Sequence, residues 1–528
     1  MNPEIPEPSD PLDPVGQDTS IDSRYRSPLE SEGEAEVVVA ELVPPSPPVN
    51  SLRIYFAWLV IIGVTVGMFW MVSASRQAMG EEKVADKASM MQTGIGAKWM
   101  VGVREMLEQA NATDSLPEDE YNADQFNSGS LEQRYGAVLL ENELVDAAAA
   151  KEMLAEIDVL VAEEKYEPTD NQKRLRKIVD QLLDQYLIEQ WDSSTVRKKD
   201  RDFLTDQMGW VGALGLVPEN SPDTVGRQDL IDEAFNTVIK LICFLLAGIA
   251  ALIGGLVAAV IFVVKLNQRA IVGNFSTLKE RSHLYLETFA IWMVLFVALQ
   301  IGVAIVSPML PLKGALASML ISLVIFFGSL VALVWPLFNG VPFSTVRKDI
   351  GWTVGNPFKE IGAGIVGYVS MLPVMVVVMI GVLIIVGVVA GISGGGGGSE
   401  FAPTGGDGHP IQQEIASGET MAWIGVVLLA CVAAPIVEET VFRGVLYRYL
   451  RDSSGKRWAR AASVLFACVV NGFIFAAIHP QGIIGIPILM TLAIGMSLAR
   501  EWRDSLIAPM TMHAINNSMV TCLMFAIF

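Results

Sequence analysis

The stretch CVAAPIVEETVFRGVLYRYL, residues 431–450, joins an apolar segment to two adjacent carboxylates. The apolar run ends in Glu438 and Glu439, and Arg443 follows four residues later. Residues four apart share one helical face, so we expect Glu439 and Arg443 to form an ion pair. Glu438 points about 100° away from Glu439 and meets different surroundings. Ionisable groups inside a membrane are costly and are candidates for function. The alternative is a helix end at the headgroups, with Arg443 snorkelling.

Apolar runs of about 20 residues, the length that crosses a bilayer as a helix, recur along the 528-residue chain. We therefore predict an all-α fold, a polytopic membrane helix bundle of about nine spans, with a mostly helical extramembrane domain between spans 1 and 2. The acidic segment before the first span is unlike the short basic start of a signal peptide. The predicted spans are 54–72, 241–264, 285–306, 315–335, 361–390, 421–440, 460–478, 483–499 and 506–527. Pro373 interrupts the long fifth span, and the glycine-rich stretch 393–410 after it is predicted to be a flexible loop. Between spans 1 and 2, an amphipathic helix is predicted to start with Thr169 or Asp170 as its cap.

Charge and composition divide the chain further. Residues 1–50 are acidic and proline-rich, which predicts a disordered cytosolic tail. Residues 54–72 are the first span, residues 73–237 a helical extracytoplasmic domain, and residues 238–284 the second span with a basic loop. The net charge of −20 arises outside the spans, with −9 in residues 1–50 and −16 in residues 73–237. This acidity argues against nucleic-acid binding, which needs a basic face.

Basic side chains are concentrated in every second predicted loop, and such loops face the cytosol. This pattern predicts a multi-pass protein of the plasma or inner cell membrane, with a cytosolic N-terminus. It places residues 73–237 and the C-terminus outside the cytosol. The basic residues follow spans 2, 4, 6 and 8: Lys265, Arg269, Lys279 and Arg281; Arg347, Lys348 and Lys359; Arg443, Arg448, Arg451, Lys456, Arg457 and Arg460; Arg500 and Arg503.

Two further polar clusters interrupt the last apolar segments. In FAAIHP, Phe475 lies one turn before His479, and Pro480 is expected to end the helix there. In HAINN, His513 and Asn517 are four residues apart and share a helical face. Such side chains either hold two helices together or donate hydrogen bonds to an oxyanion during catalysis.

The motifs EExxxR, FxxxH and HxxxN, in this order and each on its own apolar segment, resemble the CPBP (CAAX protease and bacteriocin-processing, Abi-type) intramembrane proteases. The type II CAAX prenyl endopeptidases belong to that family. The resemblance implies a protease core in residues 285–528 and a glutamate-dependent endopeptidase. Glu438 would activate water together with His479, and His513 and Asn517 would form the oxyanion site. Glu439, Arg443 and Phe475 would support them.

The resemblance leaves two alternatives open. One is a non-proteolytic scaffold or immunity protein of the same fold. The other is a zinc-dependent protease in which Glu438, His479 and His513 hold the metal, since these are zinc ligand types. We expect no cofactor. The expected partners are a membrane-associated peptide or protein substrate, the lipid bilayer and a protein that contacts residues 73–237.

The sequence raises one geometric problem. Glu438 and His513 lie within about seven residues of the ends of their predicted spans, or within about 10 Å at 1.5 Å per residue. His479 lies about 20 residues into its predicted span, which places it deeper. The three side chains can meet only if one of these predicted helix boundaries is displaced.

Overall fold

The computed structural model describes residues 51–78, 81–112, 122–188, 196–219, 221–268, 275, 281–309, 314–353, 355–392 and 420–527. Within these ranges the regular secondary structure is helical and no strand occurs, so the predicted all-α class is confirmed. The predicted disordered tail, residues 1–50, and the glycine-rich loop predicted at 393–410 lie outside the described residues.

The first part of the chain forms a long apolar helix followed by a compact group of five further helices. They are α1 (Ser51–Ala78), α2 (Glu81–Gln109), α3 (Leu131–Leu144), α4 (Ala147–Glu163), α5 (Asp170–Leu187) and α6 (Lys198–Leu214).

Helices α2 to α6, here called the α2–α6 bundle, enclose a hydrophobic core of their own. The amphipathic sequence predicted to start at Thr169 or Asp170 begins with Thr169 as its cap. The Thr169 side chain accepts from the Gln172 backbone, and the Gln172 side chain accepts from the Thr169 backbone. Ser130 and Gln133 form the same reciprocal capping box at the start of α3.

The rest of the chain supplies most of the long apolar helices. These are α7 (Thr224–Asn267), α8 (Ser282–Val306), α9 (Ala315–Ser329), α10 (Trp335–Phe338), α11 (Phe343–Asp349), α12 (Pro357–Ile392), α13 (Thr420–Leu428), α14 (Ala434–Glu439), α15 (Tyr447–Gly455), α16 (Arg460–Ala477), α17 (Gly482–Arg503) and α18 (Ile507–Ile527). A 3₁₀ turn, Leu330–Val334, joins α9 to α10.

Eight of the described helices are long and apolar enough to cross a membrane, which supports a multi-pass membrane protein. The ninth predicted span, 506–527, is the helix α18 but is not among those eight. The reason is its composition, since His513, Asn516 and Asn517 interrupt its apolar residues. Helix α7 begins well before the predicted second span because its first part packs into the core of the α2–α6 bundle.

The sixth span extends further than the sequence predicted. Instead of ending near residue 440, the helical chain continues to Gly455. Arg443, Arg448 and Arg451 are therefore buried helix residues and not a basic loop. They are accommodated because acidic side chains lie beside them, as in the pair between Arg451 Nε and Glu501 Oε2 at 3.2 Å. Buried charges of this kind need such partners.

Helix α12 contacts α7, α17 and α18. Small residues permit its close approach to α18, since a Cβ at Gly364 would collide with Thr511 and with the Ala508 carbonyl oxygen. Close backbone contacts at small residues are typical of membrane helix packing. Pro373, predicted to interrupt this long segment, lies inside α12.

The orientation of the chain remains a prediction, and two exposed positions test it. In a variant whose four cysteines are replaced by alanine, we expect Glu164→Cys to react with an impermeant maleimide in intact cells. Lys456→Cys should react only after permeabilisation, because the loop before α16 is predicted to be cytosolic. Both native side chains are exposed. Labelling of Lys456→Cys alone in intact cells would reverse the predicted orientation.

Candidate active site

Glu438 and Glu439 lie on α14, a short helix between two π-helical turns, Leu429–Ala433 and Thr440–Leu446. In the first turn the Ala434 N–H donates to the Leu429 carbonyl, five residues back. The next residue, Pro435, has no N–H and its ring crowds the preceding turn. The proline therefore accounts for the wider turn that precedes the two carboxylates. Such π turns occur frequently at functional sites.

The Glu439 carboxylate is fully buried, and the side chains of Arg443 and His513 hold it in place. Its Oε1 lies 2.8 Å from Arg443 Nη1 and 2.8 Å from His513 Nδ1. The guanidinium of Arg443 also donates to the Ala493 carbonyl at 3.2 Å and lies 4.6 Å from the centre of the Phe475 ring. Glu439 thus joins its own helix to α18, while Arg443 extends the contact to α16 and α17.

Glu438 points toward both histidines. Its Oε2 lies 3.6 Å from His479 Nε2 and 3.9 Å from His513 Nε2, and it has no hydrogen-bond partner among the described residues. The side chains of Glu438 and His479 retain 15% and 19% of their accessible surface, compared with 0% for Glu439. Glu438 and His479 are therefore the more accessible members of the cluster, although Glu438 Oε2 itself is buried.

Both imidazole rings are oriented through Nδ1. His479 Nδ1 lies 2.5 Å from the Phe475 carbonyl oxygen, which can only accept, so Nδ1 carries the proton. His513 Nδ1 donates in the same way to Glu439 when that carboxyl is ionised. Each ring consequently presents Nε2 toward Glu438. The Phe475 ring packs on His479, with centroids 4.2 Å apart.

The extended sixth span resolves the difference in depth predicted for these residues. Glu438 lies 17 residues before the helix end at Gly455, about 26 Å at 1.5 Å per residue. His479 lies 19 residues after Arg460, or about 28 Å. Because α15 and α16 are adjacent and joined by a short loop, the two side chains reach the same level. Helix α16 itself ends at Ala477, two residues earlier than predicted.

Asn517 makes a contact that the sequence did not predict. Its Nδ2 donates to the Ala430 carbonyl oxygen at 2.7 Å. In the π register the partner of this carbonyl would be the N–H five residues on, which Pro435 lacks. Asn517 therefore satisfies a backbone group that the proline leaves without a helical partner. The one feature of the sequence that could have indicated this contact is Pro435, three residues before the two carboxylates.

Asn516 contributes to a neighbouring contact. Its Nδ2 donates to Asn517 Oδ1 at 3.3 Å, and its Oδ1 accepts from Tyr368 of α12 at 3.4 Å. Tyr368 was not singled out from the sequence, because nothing near it marks it as a partner of α18. These two bonds link the Asn517 amide to α12.

The zinc alternative concerns Glu438, His479 and His513 and stays a prediction. Across the described ranges, no group of three or more His, Cys, Asp or Glu side chains is arranged to hold a metal ion. Glu438, His479 and His513 converge, but their atoms do not form such a group.

Residues 420–519 match the family model described as type II CAAX prenyl endopeptidase Rce1-like. This C-terminal part of the chain is similar to the CAAX proteases. The matched CAAX-protease segment contains all seven residues predicted for the site and its support: Glu438, Glu439, Arg443, Phe475, His479, His513 and Asn517. Helices α1 to α12 lie outside it. No curated protein and no solved structure gives a significant match to the chain.

The two roles that remain open for Asn517 of the CAAX-protease segment are separable. If Asn517 donates to an oxyanion, Asn517→Ala should lower kcat about 10²–10³-fold, the usual cost of one such donor, with little change in KM. If Asn517 acts only on the Ala430 carbonyl, the variant should lose thermal stability and keep its kcat per folded molecule.

The double variant Pro435→Ala, Asn517→Ala supplies the control, with kcat and melting temperature measured for each protein. Alanine restores the missing backbone N–H, so a purely structural defect should be smaller in this background than in the wild-type one. A kcat defect of equal size in both backgrounds supports the oxyanion role. Recovery of kcat together with stability would contradict it.

Proposed function

We propose that the chain is an intramembrane endopeptidase that hydrolyses peptide bonds of membrane-associated substrates with a water activated by Glu438. The family match supports this at the level of CAAX-type membrane proteases. The observation that carries the specific assignment is the Glu438 Oε2 atom, which lacks a hydrogen-bond partner among the described residues and faces two histidine Nε2 atoms.

In the proposed reaction, a water lies between Glu438 and His479. A carboxylate and an imidazole Nε2 can both accept a hydrogen bond, so together they orient the two hydrogens of one water. Glu438 removes a proton as the water oxygen attacks the peptide carbonyl carbon. The same carboxyl then protonates the amine as the C–N bond breaks, which returns Glu438 to its ionised form.

His513 is the proposed donor to the oxyanion that forms on the carbonyl carbon. Its Nδ1 is engaged by Glu439, which holds the ring and stabilises positive charge on it. A protonated Nε2 beside Glu438 would then donate to the developing negative charge, whose stabilisation is strong in a site with few waters. Asn517 Nδ2 carries a second N–H besides the one that donates to the Ala430 carbonyl. The predicted oxyanion role of Asn517 depends on this second N–H.

The 3.6 Å and 3.9 Å separations favour this proposal over a purely structural cluster. A structural ion pair is most stable at direct hydrogen-bond distance, as between Glu439 and Arg443 at 2.8 Å. Glu438 is instead within reach of both histidines without direct contact, and it stays partly accessible. The non-proteolytic scaffold remains the alternative, and it predicts that loss of Glu438 leaves the membrane proteome unchanged.

The substrate is proposed to reach the site from the membrane, since the cluster lies between long apolar helices. The proposed setting is the plasma or inner cell membrane, with the N-terminus cytosolic. The α2–α6 bundle is the proposed contact region for a protein partner. The proposed substrate route, membrane setting and partner region do not affect the assignment of Glu438.

The first test compares two carboxylate-to-amide substitutions. Glu438→Gln should abolish cleavage, a loss of at least about 10²-fold, because an amide cannot take the proton from water. The protein should remain in the membrane, since this carboxylate has no tight partner to lose. The measurement is a comparison of new N-termini in membrane proteins of cells carrying each form, normalised to the amount of the chain.

Glu439→Gln is the matched control. It leaves Arg443 buried without its counter-ion, and such a loss typically costs 3–5 kcal/mol, so its steady-state amount should fall. Glu438→Gln present at the unaltered amount but without cleavage, beside Glu439→Gln that is reduced in amount and keeps some cleavage per molecule, supports the assignment. Undiminished cleavage by Glu438→Gln would remove Glu438 from the reaction.

Metal dependence is tested on the purified full-length protein. We expect no stoichiometric zinc by elemental analysis and activity that survives chelation. The zinc-dependent alternative predicts one zinc per chain, with loss of the metal in both His479→Ala and His513→Ala. Activity that disappears on chelation and returns with added zinc would favour that alternative.

A further inference from the structure

A groove of about 1190 Å³ lies between helices α1 and α8, outside the matched CAAX-protease segment. This volume exceeds that of a typical drug-sized site. Almost all of its surface is apolar. The apolar walls are formed by Leu52, Tyr55, Phe56, Ala57, Leu59 and Val60 of α1 and by Ala290, Ile291, Val294, Leu295 and Ala298 of α8.

One end of the groove is polar. Arg53 Nη2 lies 2.6 Å from Glu287 Oε2, and the Trp335 indole N–H donates to the same oxygen at 2.9 Å. Glu287 is only 7% exposed, and its second oxygen, Oε1, is buried. This oxygen has no hydrogen-bond partner among the described residues. Buried polar atoms without partners are rare and call for an explanation.

The Arg53 guanidinium retains donors for a ligand. Its side chain is 36% exposed, and the contact with Glu287 uses one of its five N–H groups. The polar end therefore offers two complementary features side by side. These are an acceptor at Glu287 Oε1 and a cationic group at Arg53.

The geometry away from this end favours a single hydrocarbon chain. From Glu287 to Ala298 the groove follows α8 for 11 residues, about 16 Å at 1.5 Å per residue. Both helices are membrane-crossing candidates, so the groove opens onto the acyl-chain region of the bilayer. Its occupant must therefore have one long apolar part and one polar group that meets Arg53 and Glu287.

We propose that this groove binds a phospholipid whose headgroup carries both a phosphate and a primary ammonium, as in phosphatidylethanolamine. The phosphate accepts hydrogen bonds from Arg53, and the ammonium donates to the Glu287 carboxylate. One acyl chain lies along α8 toward Ala298. A quaternary ammonium, as in phosphatidylcholine, has no N–H and leaves Glu287 Oε1 without a partner. The proposal does not depend on the proteolytic activity.

The test is a competition between two lipids. The purified full chain in detergent is mixed with equal amounts of dioleoyl-phosphatidylethanolamine and dioleoyl-phosphatidylcholine, and the first bound lipid is identified by native mass spectrometry. We expect the ethanolamine lipid to exceed the choline lipid about tenfold, the ratio that one hydrogen bond to a charged group supplies.

Two headgroup variants test the polar contacts. Glu287→Gln should bring the ratio of the two lipids close to one, because the amide carries no charge to attract the ammonium. Arg53→Gln should reduce the amount of both bound lipids, since the phosphate contact is common to them. Lys265→Gln removes a basic residue at the end of another span and should change neither quantity.

A second pair of variants tests the acyl-chain contact. Ala298→Trp places a large ring at the deep end of the groove and should reduce binding of both lipids. Ile301→Trp adds the same ring to the exposed side of α8 outside the groove and should not. Each variant is compared by elution on size exclusion, so that loss of lipid is scored only on protein of native size.

Three results would overturn the proposal. Equal retention of the two lipids by the unaltered chain would exclude recognition of a primary ammonium. An unchanged ratio in Glu287→Gln would exclude Glu287 as its partner. Replacement of the ethanolamine lipid by dioleoyl-phosphatidylglycerol at equal concentration would indicate an anionic lipid bound by Arg53 alone.

Discussion

The buried carboxylate of Glu439 is the interaction on which the arrangement of the site depends. A charge in an apolar interior is costly unless it is paired and hydrogen-bonded, and the cost of removing one partner is larger than the net gain of the pair. Glu439 has Arg443 on its own helical chain and His513 on α18 as partners. Arg443 in turn meets the Phe475 ring and a carbonyl of α17. Elements from four helical segments are therefore fixed around one carboxylate.

This cluster also explains why adjacent glutamates can have opposite properties. Glu439 is sealed from solvent and its Oε1 contacts both Arg443 and His513, whereas Glu438, one residue earlier, is partly accessible and contacts neither histidine directly. The two side chains point about 100° apart on the helix. The π turns on either side each insert one residue into the helical repeat and so rotate α14 relative to the helices before and after it. Pro435 favours the first of these turns because it lacks an N–H. Asn517 stabilises the same turn because it donates to the Ala430 carbonyl oxygen, which Pro435 leaves without a helical partner.

Local spacing was sufficient to predict part of this structure. The four-residue separation of Glu439 and Arg443 and the apolar runs of α8, α12 and α17 are properties of single segments, so the sequence predicts the pair and the helices directly. Thr169 is predicted as a cap for the same reason. The family motifs added the expectation that Glu438 and His479 converge, which neither segment indicates alone.

Features that depend on distant partners could not be predicted. Arg448 and Arg451 have the composition of a cytosolic loop, and only the presence of Glu501 from α17 permits Arg451 to lie buried in a helix. The contact between Asn517 and Ala430 joins residues 87 positions apart and depends on a π turn that leaves no periodic signal. Arg53 and Glu287 are 234 positions apart, so their contact could not be predicted from local spacing either.

Helix α7 has a mechanical consequence for the whole molecule. It runs without interruption for 44 residues, about 66 Å at 1.5 Å per residue, from the α2–α6 bundle into the membrane-crossing part of the chain. Its first part packs on α2 and its last part on α12, which in turn packs on the helix that carries His513. A loop between the two regions would absorb a rotation of the bundle, but a continuous helix transmits torque. Turning the bundle about the α7 axis therefore turns the membrane-crossing half of α7 against α12.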